Sequence, residues 1–133
     1  MNARYPEVSH RTAHRYEYCH APEVIFNFPF EVEHVIPTCH KGTDDLSNLA
    51  LACRSCNIHK ANHLTGFDEV MQEETVLFNP RLNHWEDHFR VDRASGDILS
   101  ETSIGRATLT RLKMNREAQL AARLQWMRLG LFP

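Results

Sequence analysis

Apolar positions in the first third of the chain predict a strand with one buried face. Residues 24–36 are rich in strand-forming side chains, and Phe28, Phe30 and Val32 occupy every second position within them. Because successive side chains of a strand point to opposite faces, this spacing is typical of a half-buried strand. Pro37 follows and lacks the N–H that a strand ladder needs, so the strand should end there.

The next residues predict a loop, a second strand and a helix. Residues 38–47 are polar and contain Gly42, which is typical of a loop. Residues 49–53 are the longest unbroken apolar run of the chain and fit a short buried strand. A short helix is expected from residue 54 to about residue 63, and another over residues 9–19.

Residues 64–80 look irregular, whereas residues 88–101 indicate a β-hairpin. Short strands mixed with helices predict an α+β fold. The 133 residues have the length of one domain, so we expect residues 1–133 to form a single unit. Its core should lie at about 24–63, and a C-terminal hairpin and two helices at about 88–131.

Two amphipathic helices are expected at the C-terminal end. Thr102 or Ser103 is a good N-cap for a helix over residues 104–113. Asn115 should cap a second helix that runs to about residue 129. That helix should have an apolar stripe of three residues (Leu120, Leu124 and Met127) and a polar stripe of three others (Arg116, Gln119 and Arg123).

Charge is distributed unevenly between the body of the chain and its C-terminal tail. Residues 1–103 carry 9 Lys or Arg against 16 Asp or Glu, whereas residues 104–133 carry 6 against 1. The basic tail is either a solvated helix face or a surface that follows DNA phosphates. In the second case its arginines would steer the duplex, namely Arg106, Arg111, Arg116, Arg123 and Arg128.

The sequence argues against a membrane protein. Its longest apolar run has five residues, far fewer than the roughly 20 that a membrane-spanning helix needs. The N-terminal residues are polar and lack the apolar stretch of an export signal, so we expect a cytoplasmic protein. In a reducing compartment, the four cysteines indicate metal binding or catalysis before disulfides.

The strongest chemical signal is a series of three short motifs. It reads E-H-V-I-P from Glu33, then N-L from Asn48, then C-R-S-C-N-I-H-K from Cys53 to Lys60. Each motif alone is weak, but their order and spacing together are much more specific. They place a carboxylate and an imidazole at the end of one strand and the amide of Asn57 on the next helix.

This set of side chains suits hydrolysis of a phosphodiester bond. A neutral imidazole is a well-matched general base for water near pH 7. Glu33 and Asn57 supply one charged and one neutral oxygen, which are the donors that Mg²⁺ prefers. In a regular strand Glu33 and His34 point to opposite faces. Either the metal lies beside the strand end, or the strand distorts before Pro37.

The three motifs resemble the HNH endonuclease family, whose core is a ββα-metal motif. The resemblance implies a metal-dependent endonuclease that hydrolyses DNA with Mg²⁺ or Mn²⁺, or with Zn²⁺. By position, His34 resembles the general base, and Asn48 resembles the residue that braces the loop and orients it. Glu33 and Asn57 resemble the ligands of the catalytic ion.

Many relatives clamp a structural zinc ion with two C-x-x-C pairs. Here the second pair is intact as Cys53 and Cys56, whereas the first keeps Cys19 and has Tyr16 in place of the other cysteine. Structural zinc is almost always four-coordinate, so three thiolates need a fourth ligand. It would be His14, His20 or a water, or Cys39 or His40 if the loop folds back. Alternatively, zinc is lost and Tyr16 packs in its place.

Four basic residues are candidate DNA contacts, namely Lys60, Arg81, Arg106 and Arg111. Two other functions stay open. One is a non-catalytic module that binds nucleic acid or protein while retaining the HNH fold. The other is a zinc knuckle with no second metal site.

Overall fold

The computed structural model describes residues 1–27 and 29–133. Within them, five α-helices and six short strands follow one another along the chain. The strands form three separate antiparallel pairs and no larger sheet in the described residues. The mixed α+β class predicted from the sequence is confirmed. Phe28, the first residue of the predicted apolar alternation, lies outside the described residues.

The helices are α1 (Tyr5–Arg11), α2 (Arg54–Lys60), α3 (Trp85–His88), α4 (Ser103–Leu112) and α5 (Glu117–Arg128). The strands are β1 (Glu31–His34), β2 (Leu49–Ala52), β3 (Thr65–Asp68), β4 (Glu73–Val76), β5 (Arg90–Val91) and β6 (Ile98–Leu99). β1 pairs with β2, β3 with β4, and β5 with β6.

The first strand pair and the helix after it hold the chemically interesting residues. In the register of the pair, Glu33 lies opposite Ala50 and His34 opposite Leu49. All four residues of β2 are buried, as expected for an apolar run with no polar alternation. Cys53 then begins α2, because its thiol accepts a hydrogen bond from Cys56 N at 3.2 Å and caps the first turn.

Residues beyond α2 contact the segment that precedes β1 in two places. The Arg81 guanidinium pairs with the buried carboxylate of Glu17. The indole N–H of Trp85 donates to Tyr18 O at 2.7 Å. Residues beyond α2 therefore support the segment that precedes β1.

The N-terminal third is less regular than predicted. The helix expected over residues 9–19 is wrong in position, because α1 ends at Arg11 and turns follow. The strand expected over residues 24–36 is reduced to the four residues of β1. A buried carboxylate explains the difference. Glu23 accepts from the Tyr5 hydroxyl at 2.6 Å and from Phe30 N at 2.8 Å, so this segment folds around it instead of extending.

The expectation that residues 64–80 are irregular is wrong. They contain the hairpin of β3 and β4, which packs against α4. Asp68 is the main anchor, because Arg106 of α4 forms two hydrogen bonds to its carboxylate, at 2.8 Å and 2.9 Å. The Arg106 guanidinium holds the pKa of Asp68 well below its usual range.

The C-terminal helices begin close to their expected positions. Thr102 caps α4, since its hydroxyl accepts from Gly105 N at 3.0 Å. Asn115 does not cap α5. Its amide forms hydrogen bonds with both the N–H and the carbonyl of Ile98, and Arg116 is the N-cap. The polar stripe expected on α5 is also wrong at Arg123, which is 2% exposed.

Among the described residues, no helix combines the length and the apolar character that crossing a bilayer requires.

Candidate functional site

A cleft of about 250 Å³ lies beside the end of β1. Glu33, His34 and Asn57 all line it, together with Pro37 and Ala61 among others. The three chemical groups that the motifs single out therefore meet at one place. β1 ends at His34, and the chain bends at residues 35–36 before the proline. The end of the strand thus allows neighbouring residues to reach the same cleft.

His34 is the accessible imidazole of this cleft, with 26% of its side chain exposed. Its Nε2 lies 2.6 Å from Asp44 Oδ1, and a carboxylate can only accept. Nε2 therefore carries the proton in this contact, and Nδ1 of the neutral ring is left to accept one. The Asp44 side chain is itself 90% exposed, so this contact lies on the surface.

Asn48 fixes the loop that follows His34. Its amide oxygen accepts from Ile36 N at 2.9 Å, and its amide nitrogen donates to Ile36 O at 3.0 Å and to Thr43 O at 2.9 Å. A side chain at Gly42 would collide with Ile36 O and crowd this amide, which explains a glycine here. The side-chain hydrogen bonds of Asn48 go to Ile36 and Thr43, so its effect on the imidazole is indirect.

Glu33 is buried beneath the cleft. The Tyr18 hydroxyl donates to one carboxylate oxygen, and the Lys60 ammonium lies 3.2 Å from the other. Only 3% of the Glu33 side chain is exposed. Burial raises the pKa of Glu33, and the positive charge of Lys60 opposes that rise. Each oxygen has a protein partner, although a carboxylate retains further lone pairs.

Asn57 lies at the border between β1 and α2. Its amide nitrogen donates to the carboxylate of Glu31, which also pairs with Arg54 at 3.2 Å. Asn57 also lines the cleft, and its amide oxygen is the side-chain atom that can act as a ligand there. Glu31 is a second carboxylate close to Asn57, and it is more exposed than Glu33.

Three of the four candidate DNA contacts form ion pairs within the protein. Lys60 is buried, and its ammonium donates to Val35 O at 2.9 Å as well as pairing with Glu33. Arg81 pairs with Glu17, and Arg106 with Asp68. The positive charges of Lys60, Arg81 and Arg106 are thus engaged within the protein, and DNA contact at these residues stays a prediction. Arg111 donates to Thr65 O at 2.9 Å from a partly exposed position.

The other arginines of the basic tail differ in exposure. Arg116 and Arg128 are exposed, and Arg116 contacts the imidazole of His59 on α2 at 3.1 Å. Arg123 instead points inward and donates to Gly96 O at 2.7 Å, to Asn115 Oδ1 and to Met114 O. The part of the basic tail that faces solvent is therefore smaller than its charge implies.

The cysteines predicted to bind zinc are together in the structure. The sulfur atoms of Cys19, Cys53 and Cys56 lie within 4.8 Å of one another, and all three residues are buried. Cys53 accepts hydrogen bonds from the other two, and these lower the pKa of its thiol to about 3. Three converging sulfur donors fit a thiophilic cation such as Zn²⁺, with one position still to be filled.

Each side chain proposed as the fourth zinc ligand lies elsewhere. His14 contacts Glu23 at 2.7 Å, and His20 stacks on Trp85. Cys39 is exposed, and His40 contacts Asn62 O. Among residues 1–27 and 29–133, no fourth histidine, cysteine or carboxylate joins the three sulfurs.

Three residues around the cleft were not expected from the sequence, namely Tyr18, Glu31 and Asp44. Glu31 had a weak signal, because it lies two residues before Glu33 and so shares its face of the strand. No sequence signal indicated Tyr18 or Asp44. Their partners are 15 and 10 residues away along the chain, and no local pattern indicates such pairs.

Comparison with known proteins supports the resemblance. The family model described as HNH endonuclease matches residues 17–63, which contain Glu33, His34, Asn48, Asn57 and all four cysteines. No curated protein and no solved structure matches the chain. The HNH family suggests nuclease activity and generally uses a divalent metal. Over residues 17–63, this chain is therefore similar to the HNH endonuclease family.

Proposed function

We propose that this protein is a metal-dependent endonuclease that hydrolyses DNA phosphodiester bonds. The observation that carries the proposal is the single cleft lined by Glu33, His34 and Asn57. An imidazole, a carboxylate and an amide oxygen at one place supply a base and oxygen donors for a hard cation. The chain order β1, β2, α2 supports the proposal of a ββα-metal core.

In this proposal His34 is the general base. Asp44 binds Nε2, so Nδ1 accepts the proton of the attacking water. Asn48 is a positioning residue, because it ties the loop of residues 36–43 to the end of β1. The loop leads directly to Asp44, whose carboxylate contacts the imidazole. By holding the loop in place, Asn48 holds the imidazole in one orientation.

Glu33 and Asn57 are the proposed ligands of the catalytic cation. One carboxylate oxygen and one amide oxygen fit Mg²⁺ or Mn²⁺, which prefer oxygen donors and retain several waters. When bound, such an ion supplies positive charge that stabilises the leaving oxygen. Lys60 places a positive charge beside Glu33, which opposes the rise in pKa that burial causes in this carboxyl group.

DNA would be held by the cations that remain on the surface. Arg111 and Arg116 are the strongest candidates, since Arg111 is partly exposed and Arg116 is exposed beside His59. Such contacts follow phosphates and carry no sequence information directly. Their contribution therefore falls as salt concentration rises.

The direct test is cleavage of supercoiled plasmid by the purified chain. We expect nicked and linear products with Mg²⁺ or Mn²⁺ and none with excess EDTA, because the oxygen donors alone cannot stabilise the leaving group. The His34→Ala variant, purified in the same way, identifies cutting by a contaminant. DNA binding without any metal-dependent cutting would overturn the proposal in favour of a non-catalytic module.

A pair of matched variants tests the ligand assignment. We expect Glu33→Gln to weaken Mn²⁺ binding by at least about tenfold, because a charged oxygen donor is lost. Glu31→Gln removes the negative charge beside the Asn57 amide but keeps an oxygen acceptor, and it should weaken binding much less. Titration calorimetry with Mn²⁺ measures both, and circular dichroism checks that each variant is folded. The reverse order of the two effects would move the ligand to Glu31.

A further inference from the structure

A second cavity of about 250 Å³ lies beside the buried cysteines, away from the proposed catalytic cleft. Cys19 and Cys53 form part of its wall. Apolar side chains form most of the rest, namely Ala21, Phe26, Ala118, Ala122 and Trp126. Arg54 also lines it, and this residue is exposed, so the cavity reaches the surface.

Tyr16 takes the space where a fourth cysteine would complete the sulfur cluster. Its ring is buried, stacks on Phe30 and meets Phe26 edge to face. These contacts hold the ring in an aromatic cluster that forms another wall of the same cavity. Packing thus fixes Tyr16 by its ring, and the cavity remains next to the sulfurs.

Arg123 places a buried positive charge beside the sulfur cluster, and Asp97 acts on it from beyond ion-pair distance. Its buried guanidinium lines the cavity and donates only to neutral acceptors, Gly96 O, Met114 O and Asn115 Oδ1. In the part of the chain that the structure describes, no carboxylate forms an ion pair with it. A buried charge is normally paired, and the nearby thiols can supply the opposite charge once deprotonated.

We propose that Cys19, Cys53 and Cys56 hold a thiophilic divalent cation by three thiolates, and that its fourth coordination position opens into this cavity and accepts a small thiol from solution. Three thiolates on a divalent ion leave one negative charge, which the Arg123 guanidinium offsets. The site is therefore a ligand-binding metal centre and not a closed structural one.

The walls of the cavity select the class of the added ligand. An apolar chamber holds water poorly, because water needs two to four polar partners. A short alkyl thiol places its apolar part against Phe26 and Trp126 and its sulfur on the cation. Sulfur is also the donor type that matches a cation already bound by thiolates. An alcohol of the same size lacks that match.

Cobalt is the probe for the test, since Co²⁺ takes the tetrahedral sites of Zn²⁺ and absorbs visible light. We expect the full-length protein to bind one Co²⁺ with thiolate charge-transfer bands. Saturating ethanethiol should raise the intensity of these bands by about one third, because the thiol releases its proton to the buffer as its sulfur binds and three thiolates become four. Ethanol at the same concentration should leave the spectrum unchanged.

Four variants make the result decisive. Tyr16→Cys should show the four-thiolate spectrum without ethanethiol and should not respond to it. Tyr16→Phe keeps the ring packing and should behave like the unmodified chain. Cys53→Ser should lose the bands, whereas Cys39→Ser, which changes the exposed cysteine, should keep them. Circular dichroism confirms folding.

Three results would overturn the proposal. One is the absence of Co²⁺ bands that depend on Cys53 in folded protein. A second is a spectrum that does not respond to ethanethiol, which would mean that the protein fills the fourth position. The third is loss of the bands in Tyr16→Phe, which would identify the phenol oxygen as a ligand. None of these readouts depends on DNA cleavage, so the nuclease proposal is tested separately.

Discussion

His34→Ala is expected to lower the rate of metal-dependent DNA cleavage by about 10²–10⁴-fold, the usual contribution of a general base. Among the described residues, no other imidazole lines this cleft. Single-turnover cleavage of a plasmid at saturating Mg²⁺ measures the effect on the chemical step. The free energy of unfolding should change little, because the ring is part-exposed and its partner Asp44 is on the surface.

His84→Ala is the matched control for this experiment. His84 is an exposed histidine that precedes α3, and the same truncation there should leave the cleavage rate unchanged. The general-base role would be rejected if folded His34→Ala cut DNA at the rate of His84→Ala. Cutting that persists in both variants and in EDTA would point to a contaminating nuclease.

Lys60→Met is expected to lower the free energy of unfolding by about 3–5 kcal/mol, the usual cost of removing one partner of a buried ion pair. The ammonium and the Glu33 carboxylate are 2% and 3% exposed, so water cannot replace the lost partner. Val35 O would lose a donor as well. Urea unfolding at pH 7.5, followed by circular dichroism, measures the loss.

The loss should depend on pH in a defined direction. Without Lys60, the pKa of buried Glu33 rises further above its unfolded value, so the folded state binds a proton that the unfolded state has released. The stability of Lys60→Met should therefore improve, relative to the unmodified chain, as the pH falls from 7.5 toward 5. A loss of stability in Lys60→Met that stays the same from pH 7.5 to pH 5 would contradict the role of Lys60 in opposing the raised pKa of Glu33.

Two further variants isolate the ion pair. Lys113→Met removes an exposed lysine and should change stability by well under 1 kcal/mol. The double variant Glu33→Leu, Lys60→Met should recover much of the loss, because it removes both buried charges. If the double variant were as unstable as the sum of its two single variants, the two charges would not be coupled.

Local sequence signals predicted the parts of the fold that local interactions stabilise. The apolar run of β2, the short helix that follows it and the hydroxyl cap of α4 each depend on residues within a few positions. The order of the short motifs likewise predicted that His34 and Asn57 lie close together, and both line one cleft. A strand pair followed directly by a helix leaves few other arrangements.

Distant partners explain what the sequence could not predict. Lys60 looks like a solvated helix lysine, and its burial depends on Glu33 and on carbonyls 25 and 26 residues earlier. The β3–β4 hairpin has no clear alternation and forms because Asp68 meets Arg106, 38 residues later. Arg123 is buried for a similar reason, since its acceptors come from other segments. Such pairs leave no periodic pattern in the sequence.

The contacts of Glu17 and Tyr18 tie the HNH-like segment to later parts of the chain, so residues 17–63 are not expected to keep their structure when transferred alone. Glu17 is paired with Arg81, and Tyr18, whose hydroxyl bonds Glu33, is itself held by the indole of Trp85. A graft of residues 17–63 into another scaffold would remove the ion-pair partners Arg11 and Arg81 from Glu17 and loosen the support beneath Glu33. The smallest transferable unit would therefore extend at least from Arg11 to α3.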